Sequence, residues 1–95
     1  MISVSVELIG TLQKKLGKKK FKISLDKSAT ITTLIKRLEI NASSKSSLFT
    51  DNKEADIRSS VLTLVNGKDI SVLNGLNTIL EDGASVTFIP FSHGG

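Results

Sequence analysis

Hydrophobic and polar residues alternate strictly over the first strand-length stretch of the chain, residues 2–8. This period of two is typical of a strand with one buried face. A second alternating run covers residues 21–25, and the two runs are predicted to pair as an antiparallel hairpin with one face in water. Between them, residues 11–16 are predicted to form one helical turn that stops at Gly17.

The apolar period changes to that of a helix after residue 30. Ile31, Leu34, Ile35 and Leu38 lie at positions i, i+3, i+4 and i+7, which places them on one stripe of a helix. Ser28 and Thr30 are both candidate N-caps. The helix is predicted to end near residues 40–41, and the polar, serine-rich segment 41–60 is predicted to be a long surface loop.

The C-terminal part of the chain reads as strands joined by sharp turns. Residues 61–65 form a third apolar strand, and Asn66-Gly67 after it is a strong hairpin-turn signal. Residues 68–70 are predicted to return as a short strand. Turns at 74–78 and 80–83 then lead to a last strand at 85–89, where Pro90 should end the pairing.

This order of elements predicts an α+β fold. One main helix would cover one face of a mixed sheet of four to five strands and form the crossover between the second and third strands, which is the β-grasp topology. Residues 1–91 are predicted to form a single domain, followed by a flexible tail at 92–95 that ends in Gly-Gly. The predicted core consists of Ile2, Val4, Val6, Phe21, Ile23, Leu25, Ile31, Leu34, Ile35, Leu38, Val86 and Phe88.

Composition and charge narrow the functional classes. The chain has 95 residues, a net charge of +4 and no cysteine, so disulfides, thiolate metal sites and cysteine nucleophiles are excluded. No apolar run is long enough for a membrane span and no secretory signal is visible, so a cytoplasmic protein is expected. Six lysines lie between residues 14 and 22, but the chain has only four Phe and no Trp or Tyr to interleave with them. Sites for single-stranded nucleic acid use such aromatic side chains to stack on bases. The cluster is therefore predicted to be a solvated basic turn, and nucleic-acid binding is kept as the alternative function.

The chemistry of an enzyme is not visible in the sequence. His93 is the only histidine, and no glycine-rich phosphate-binding motif occurs. Asp51, Glu54 and Asp56 lie close together but lack the ligand spacing of a calcium loop. No catalytic residue, metal ligand or bound cofactor is predicted, and the chain is expected to be a substrate or carrier for other enzymes.

Two glycines, Gly94 and Gly95, end the sequence. They can be read as a frayed terminus or as a chemical requirement. Glycine has no Cβ, so it can pass through a narrow slot and leave an activated carbonyl open to attack.

Several segments together carry a resemblance to a known family. Residues 64–70, 76–83 and 86–90, followed by the terminal Gly-Gly, resemble the β-grasp sulfur carriers and protein modifiers. The ending His93-Gly94-Gly95 is similar to that of the ubiquitin-related modifier, whereas Pro90 is more like the small subunit of molybdopterin synthase. The resemblance is good over residues 61–95 and rests on pattern alone before them.

The resemblance implies a function. A ubiquitin-activating-like adenylyltransferase would use ATP to adenylate Gly95, with Gly94 and His93 fitting the enzyme. A sulfur donor enzyme could then form a thiocarboxylate, or the carboxyl group could be joined to lysines of target proteins. A dedicated molybdopterin synthase subunit, bound to a large catalytic subunit, is the alternative within this class. The free protein is expected to be a monomer without a membrane partner.

The resemblance also implies a docking patch. If Val86 and Phe88 face the helix, the residues that alternate with them, Thr87, Ile89 and Phe91, face away from it. We define the outer patch as four residues predicted to point away from the helix: Leu62, Leu64, Ile89 and Phe91. Apolar patches on small proteins commonly mark partner sites. The other interpretation is that the chain itself covers them, for example through the serine-rich loop.

Overall fold

The computed structural model describes residues 1–41 and 61–91. The predicted tail, residues 92–95, lies outside the described residues. So does the predicted loop except for its first residue, that is, residues 42–60. The elements are β1 (Ile2–Leu8), α1 (Thr11–Leu16), β2 (Lys20–Leu25), α2 (Ile31–Asn41), β3 (Val61–Val65), β4 (Lys68–Asp69) and β5 (Ser85–Pro90). Two short 3₁₀ helices, Ile70–Val72 and Gly75–Asn77, connect β4 to the turn before β5. None of the helices in these two ranges has the length and apolarity needed to cross a membrane.

The five strands form one mixed sheet in the order β2-β1-β5-β3-β4. β1 and β5 run parallel at its centre, and every other neighbouring pair is antiparallel. The predicted mixed sheet with one main helix is confirmed. The first and last strands of the chain thus lie side by side, which places the exit of β5 at the middle of the sheet.

The core lies between the sheet and the two helices. Eight of the predicted core residues are buried: Val4, Val6, Leu25, Ile31, Leu34, Leu38, Val86 and Phe88. The other four are partly buried against the core: Ile2, Phe21, Ile23 and Ile35. Several buried residues were not in the predicted core: Leu8, Leu12, Ala29, Val61, Val65, Ile70, Leu80 and Ala84.

Thr30, rather than Ser28, caps the start of α2. Its hydroxyl accepts a hydrogen bond from the Thr33 N–H at 3.3 Å, and the Thr33 hydroxyl accepts one from the Thr30 N–H at 3.4 Å. This reciprocal pair satisfies backbone donors that a helix N-terminus leaves free. Ser28 instead adopts a positive φ of 76° in the preceding turn, so its backbone is unsuited to the cap position.

The hairpin between β3 and β4 has the predicted turn. Asn66 and Gly67 have φ angles of 51° and 84°, as a tight primed turn requires. Asn66 also holds the start of β5: its Oδ1 accepts from the Ser85 N–H at 2.9 Å, and its N–H donates to the Ser85 carbonyl at 2.8 Å. One Asn thus shapes the turn and fixes the entry of β5.

Thr63 is a buried polar residue whose replacement should stabilise the domain. It is 2% exposed, and its Oγ1 has no hydrogen-bond partner among residues 1–41 and 61–91. A buried hydroxyl without a partner costs about 1–3 kcal/mol, so Thr63→Val should raise the free energy of unfolding by about 1 kcal/mol. Urea denaturation measures this difference.

Thr78 offers the matched control. It is 8% exposed, but its Oγ1 donates to the Gly75 carbonyl at 2.7 Å and accepts from the Asn74 N–H at 3.1 Å. Thr78→Val should therefore lower the free energy of unfolding. If both substitutions change the free energy of unfolding in the same direction, the conclusion that the Thr63 hydroxyl has no hydrogen-bond partner is wrong.

Candidate functional site

The side chains of β3 alternate between the two faces of the sheet in the predicted order. Val61, Thr63 and Val65 are buried on the helix side, and Leu62 and Leu64 lie on the opposite face of the sheet. On β5, Val86 and Phe88 are buried, whereas Thr87 and Ile89 are partly exposed on that same outer face. The predicted directions of both strands are confirmed.

The register of β3 and β5 brings the outer patch together. Leu62 lies directly opposite Ile89, and Leu64 lies opposite Thr87. Phe91 follows β5 and is 44% exposed. Leu62, Leu64 and Ile89 are only partly exposed, so Phe91 is the most accessible member of an apolar strip that otherwise lies flat on the sheet.

The exit of β5 is held on both sides. The Ile9 N–H donates to the Phe88 carbonyl at 3.1 Å, while Pro90 pairs with Val61 on the other side. Gly10 adopts a φ of 62°, and a Cβ on it would lie 3.5 Å from the Pro90 Cγ. That distance is ordinary van der Waals contact, so it is the positive φ of the turn after β1 that favours glycine here.

His93, Gly94 and Gly95 lie outside the described residues, so their predicted roles stay predictions. The described part of the chain shows where they are attached: Phe91 follows directly on the anchored end of β5, where Pro90 lies opposite Val61. The last described residue is thus at the border of the outer patch. A partner that bound this patch would be adjacent to the start of the tail.

The lysine cluster lies elsewhere on the molecule. Lys18, Lys19, Lys20 and Lys22 are exposed on or just before β2, and β1 separates β2 from β5, the nearer strand of the outer patch. Lys20 lies opposite Glu7 on β1, and the Lys18 Nζ is 5.5 Å from the centre of the Phe21 ring. The basic edge and the outer patch are therefore distinct surfaces.

The described ranges hold no group of three or more His, Cys, Asp or Glu residues that could bind a metal ion. Asp51, Glu54 and Asp56, the three neighbouring carboxylates in the sequence, lie outside those ranges.

Sequence reasoning missed a residue that positions β5 from its other end. Asp82 Oδ1 accepts a hydrogen bond from the Ser3 N–H at 2.7 Å, and the neighbouring Gly83 N–H donates to the Ser3 carbonyl at 2.8 Å. These bonds join the loop before β5 to the start of β1. The partners are 79 residues apart in the chain, so no local pattern could have indicated the pair.

A mixed sheet that holds one main helix, with its first and last strands parallel at the centre, defines a ubiquitin-like β-grasp protein. SAMP1 from Haloferax volcanii has this fold, with a TM-score of 0.81 at 18% identity over 98% of this chain and 99% of that one. The solution structure of Urm1 from Trypanosoma brucei matches with a TM-score of 0.77 at 26% identity, over 98% of this chain and 95% of that one.

The sequence comparisons are more specific. The family model described as Urm1 (Ubiquitin related modifier) matches residues 3–95. "Ubiquitin-related modifier 1" of Saccharomyces cerevisiae (strain YJM789) is 34% identical over 101 residues, covering 100% of both chains. The chain belongs to the ubiquitin-related modifier family, within the β-grasp sulfur carriers and ubiquitin-like modifiers.

Proposed function

We propose that this protein acts through its C-terminal carboxylate, which a ubiquitin-activating-like adenylyltransferase joins to AMP. The observation that carries the proposal is the family match, which extends through His93, Gly94 and Gly95. The fold supports it, because β5 is held between two neighbouring strands up to the point where the tail begins.

ATP is the co-substrate of the proposed reaction. A carboxylate oxygen of Gly95 attacks the α-phosphorus of ATP, and pyrophosphate leaves. The resulting acyl-adenylate is an electrophile, whereas the free carboxylate is not. A persulfide from a sulfur donor enzyme, followed by a thiol that cleaves the acyl disulfide, gives a thiocarboxylate. Attack by a lysine ε-amine gives an isopeptide bond, and AMP leaves in either route.

The carrier and modifier roles use the same activated carboxyl group. We propose that this chain is a monomer that serves both roles. It would bind the activating enzyme, the sulfur donor and proteins with target lysines one after another. The family match favours this over a dedicated molybdopterin synthase subunit, for which Pro90 was the main indication. The protein itself needs no bound cofactor in this scheme.

The outer patch is the proposed contact with the activating enzyme. Its residues adjoin the start of the tail, so binding there would hold the tail in a fixed direction toward the ATP. An apolar contact at this place is needed because a tail of four residues offers little binding surface of its own.

Ile89→Asp tests the patch and is expected to reduce the rate of adenylation by at least about 100-fold. A charge buried at an apolar interface without a partner typically costs several kcal/mol of binding. Ile89 is preferred to Leu64, because Leu64 lies opposite Asp69 and a second carboxylate there would also disturb the hairpin. The measurement is ATP–pyrophosphate exchange with the activating enzyme.

Ser24→Asp is the matched control, since Ser24 is exposed on β2 and belongs to the same outer face of the sheet. This variant should be adenylated at the normal rate. Both variants should show a folded spectrum of dispersed amide resonances. Normal exchange by folded Ile89→Asp would contradict the docking role of the patch.

A further inference from the structure

Within residues 1–41 and 61–91, the sheet has one long open edge. β2 stands at the end of the strand order and, among the described strands, pairs only with β1. The opposite edge, β4, has two residues, whereas β2 has six. An open strand of this length presents backbone donors and acceptors to which another chain can pair.

The backbone groups that face the open edge can be assigned. The Leu8 N–H donates to the Lys19 carbonyl at 2.7 Å, so this pair is a hydrogen-bonded one. Hydrogen-bonded and non-bonded pairs alternate along an antiparallel ladder. The backbone N–H and carbonyl groups of Lys20, Lys22 and Ser24 therefore point away from β1. Consistently, Arg37 Nη1 reaches the Ser24 carbonyl from α2, at 3.5 Å.

A groove lined by both apolar and charged side chains runs beside this edge. It has a volume of about 440 Å³ and lies between α1, β2 and α2. Its apolar lining comes from Leu16, Phe21, Ile23 and Leu38, and Lys18 and Lys22 complete it. Phe21 and Ile23 belong to the helix side of the sheet but stay partly exposed, because no further strand covers them on that side within the described structure.

The charges at the edge select among possible occupants. Lys20 and Lys22 alternate along β2 with Phe21 and Ile23 and are exposed. Lys18 and Lys22 also contribute to the groove lining. A second copy of β2 would bring lysines against lysines, which is unfavourable across a strand pair. An added strand with carboxylates at alternate positions would meet these lysines with the opposite charge.

We propose that the β2 edge and its groove bind an extended peptide segment of a partner protein as a sixth strand. Residues of the peptide opposite Phe21 and Ile23 would be apolar and enter the groove. Residues opposite Lys20 and Lys22 would be acidic and lie on the outer face. Backbone hydrogen bonds to Lys20 and Lys22 and to the Ser24 N–H would supply the remaining recognition, as in other cases of strand addition.

This site is independent of the proposed docking of an activating enzyme. The open edge of β2 faces away from β1, and β1 separates β2 from β5, the nearer strand of the outer patch. Both surfaces can therefore be occupied together, and failure of one proposal leaves the other standing.

The test is an amide-resonance titration of the full chain with a synthetic peptide. The probe is an acetylated and amidated seven-residue peptide in which Asp or Glu alternates with Val or Ile. We expect the largest shifts at Lys20, Lys22 and Ser24, with slower exchange of their amide hydrogens. The control peptide has the same sequence with N-methyl groups on alternate amides, which removes strand pairing but keeps charge and composition.

Charge reversal supplies a second control. Lys22→Glu should weaken binding of the probe by about fivefold to tenfold, because an attraction becomes a repulsion. Lys68→Glu changes the net charge equally but lies on β4, at the opposite edge, and should change the affinity by less than about twofold.

Several results would overturn the proposal. One is equal binding of both peptides, which would mean charge attraction without strand pairing. Another is absence of shifts along β2 at millimolar peptide. Self-association of the protein through β2, seen as concentration-dependent broadening, would assign the edge to a second copy. Tighter binding of a single-stranded RNA oligonucleotide at the same lysines would assign it to nucleic acid.

Discussion

Removal of Gly94 and Gly95 is expected to abolish adenylation completely while leaving the melting temperature of the domain unchanged. Two residues of extended chain span at most about 7 Å, so the shortened tail would hold its carboxylate that far from the α-phosphorus of ATP. The new terminal residue would be His93, whose Cβ would crowd the carbonyl. Pyrophosphate exchange with the activating enzyme measures the loss.

His93→Ala separates the terminal glycines from the residue before them. Since His93 is proposed only to fit the enzyme and not to transfer a proton, this variant should keep most of the exchange rate. Exchange by the truncated chain at a rate comparable to that of the full chain would show that the reactive group is not at Gly95.

Phe88→Ala is expected to lower the free energy of unfolding by about 3–5 kcal/mol. Phe88 is fully buried at the centre of the sheet, opposite Leu8 on β1 and Thr63 on β3. Removing the ring would leave a cavity that two neighbouring strands and a helix cannot all close. Small domains typically have only about 5–15 kcal/mol of stability, so this variant should be partly unfolded at elevated temperature. Urea denaturation is the measurement.

Phe91→Ala is the matched control, because it removes the same ring from a side chain that is 44% exposed. Its free energy of unfolding should change by about 0.5 kcal/mol or less. Its adenylation should nevertheless fall, since the ring belongs to the outer patch. A large loss of stability in Phe91→Ala would mean that the ring is part of the core.

The regular part of the fold follows from local sequence pattern. The alternation in residues 2–8 and 21–25 and the helical spacing from Ile31 to Leu38 set both the element type and its buried face. Asn66-Gly67 specifies its turn because few other residues adopt two successive positive φ angles. These features depend on neighbours in the chain, so the sequence predicts them well.

The irregular part depends on distant neighbours. Ile70, Leu80 and Ala84 are buried, yet each lies in a turn or next to one, where no period indicates a face. Leu80 is fixed by its N–H, which donates to the Ala29 carbonyl at 2.8 Å. The burial of these residues results from how the connecting segment lies against the start of α2, which pattern alone cannot predict.

The outer patch was predictable in direction but not in extent. The alternation of β5 placed Ile89 and Phe91 on the outer face, and the register then set Ile89 beside Leu62. How much of each side chain water reaches depends on the strands on either side. The reactive terminus was inferred from the chemistry of glycine and a family resemblance, which the family match now supports.

Intact mass spectrometry of the untagged protein from its native cells shows directly whether Gly95 is activated. We expect a free form in which sulfur replaces one oxygen at Gly95, and isopeptide-linked forms in which Gly95 is joined to lysines of other proteins. The contradicting result is a Gly95 carboxylate that stays unmodified in cells and also fails to form an acyl-adenylate with competent activating enzyme and ATP.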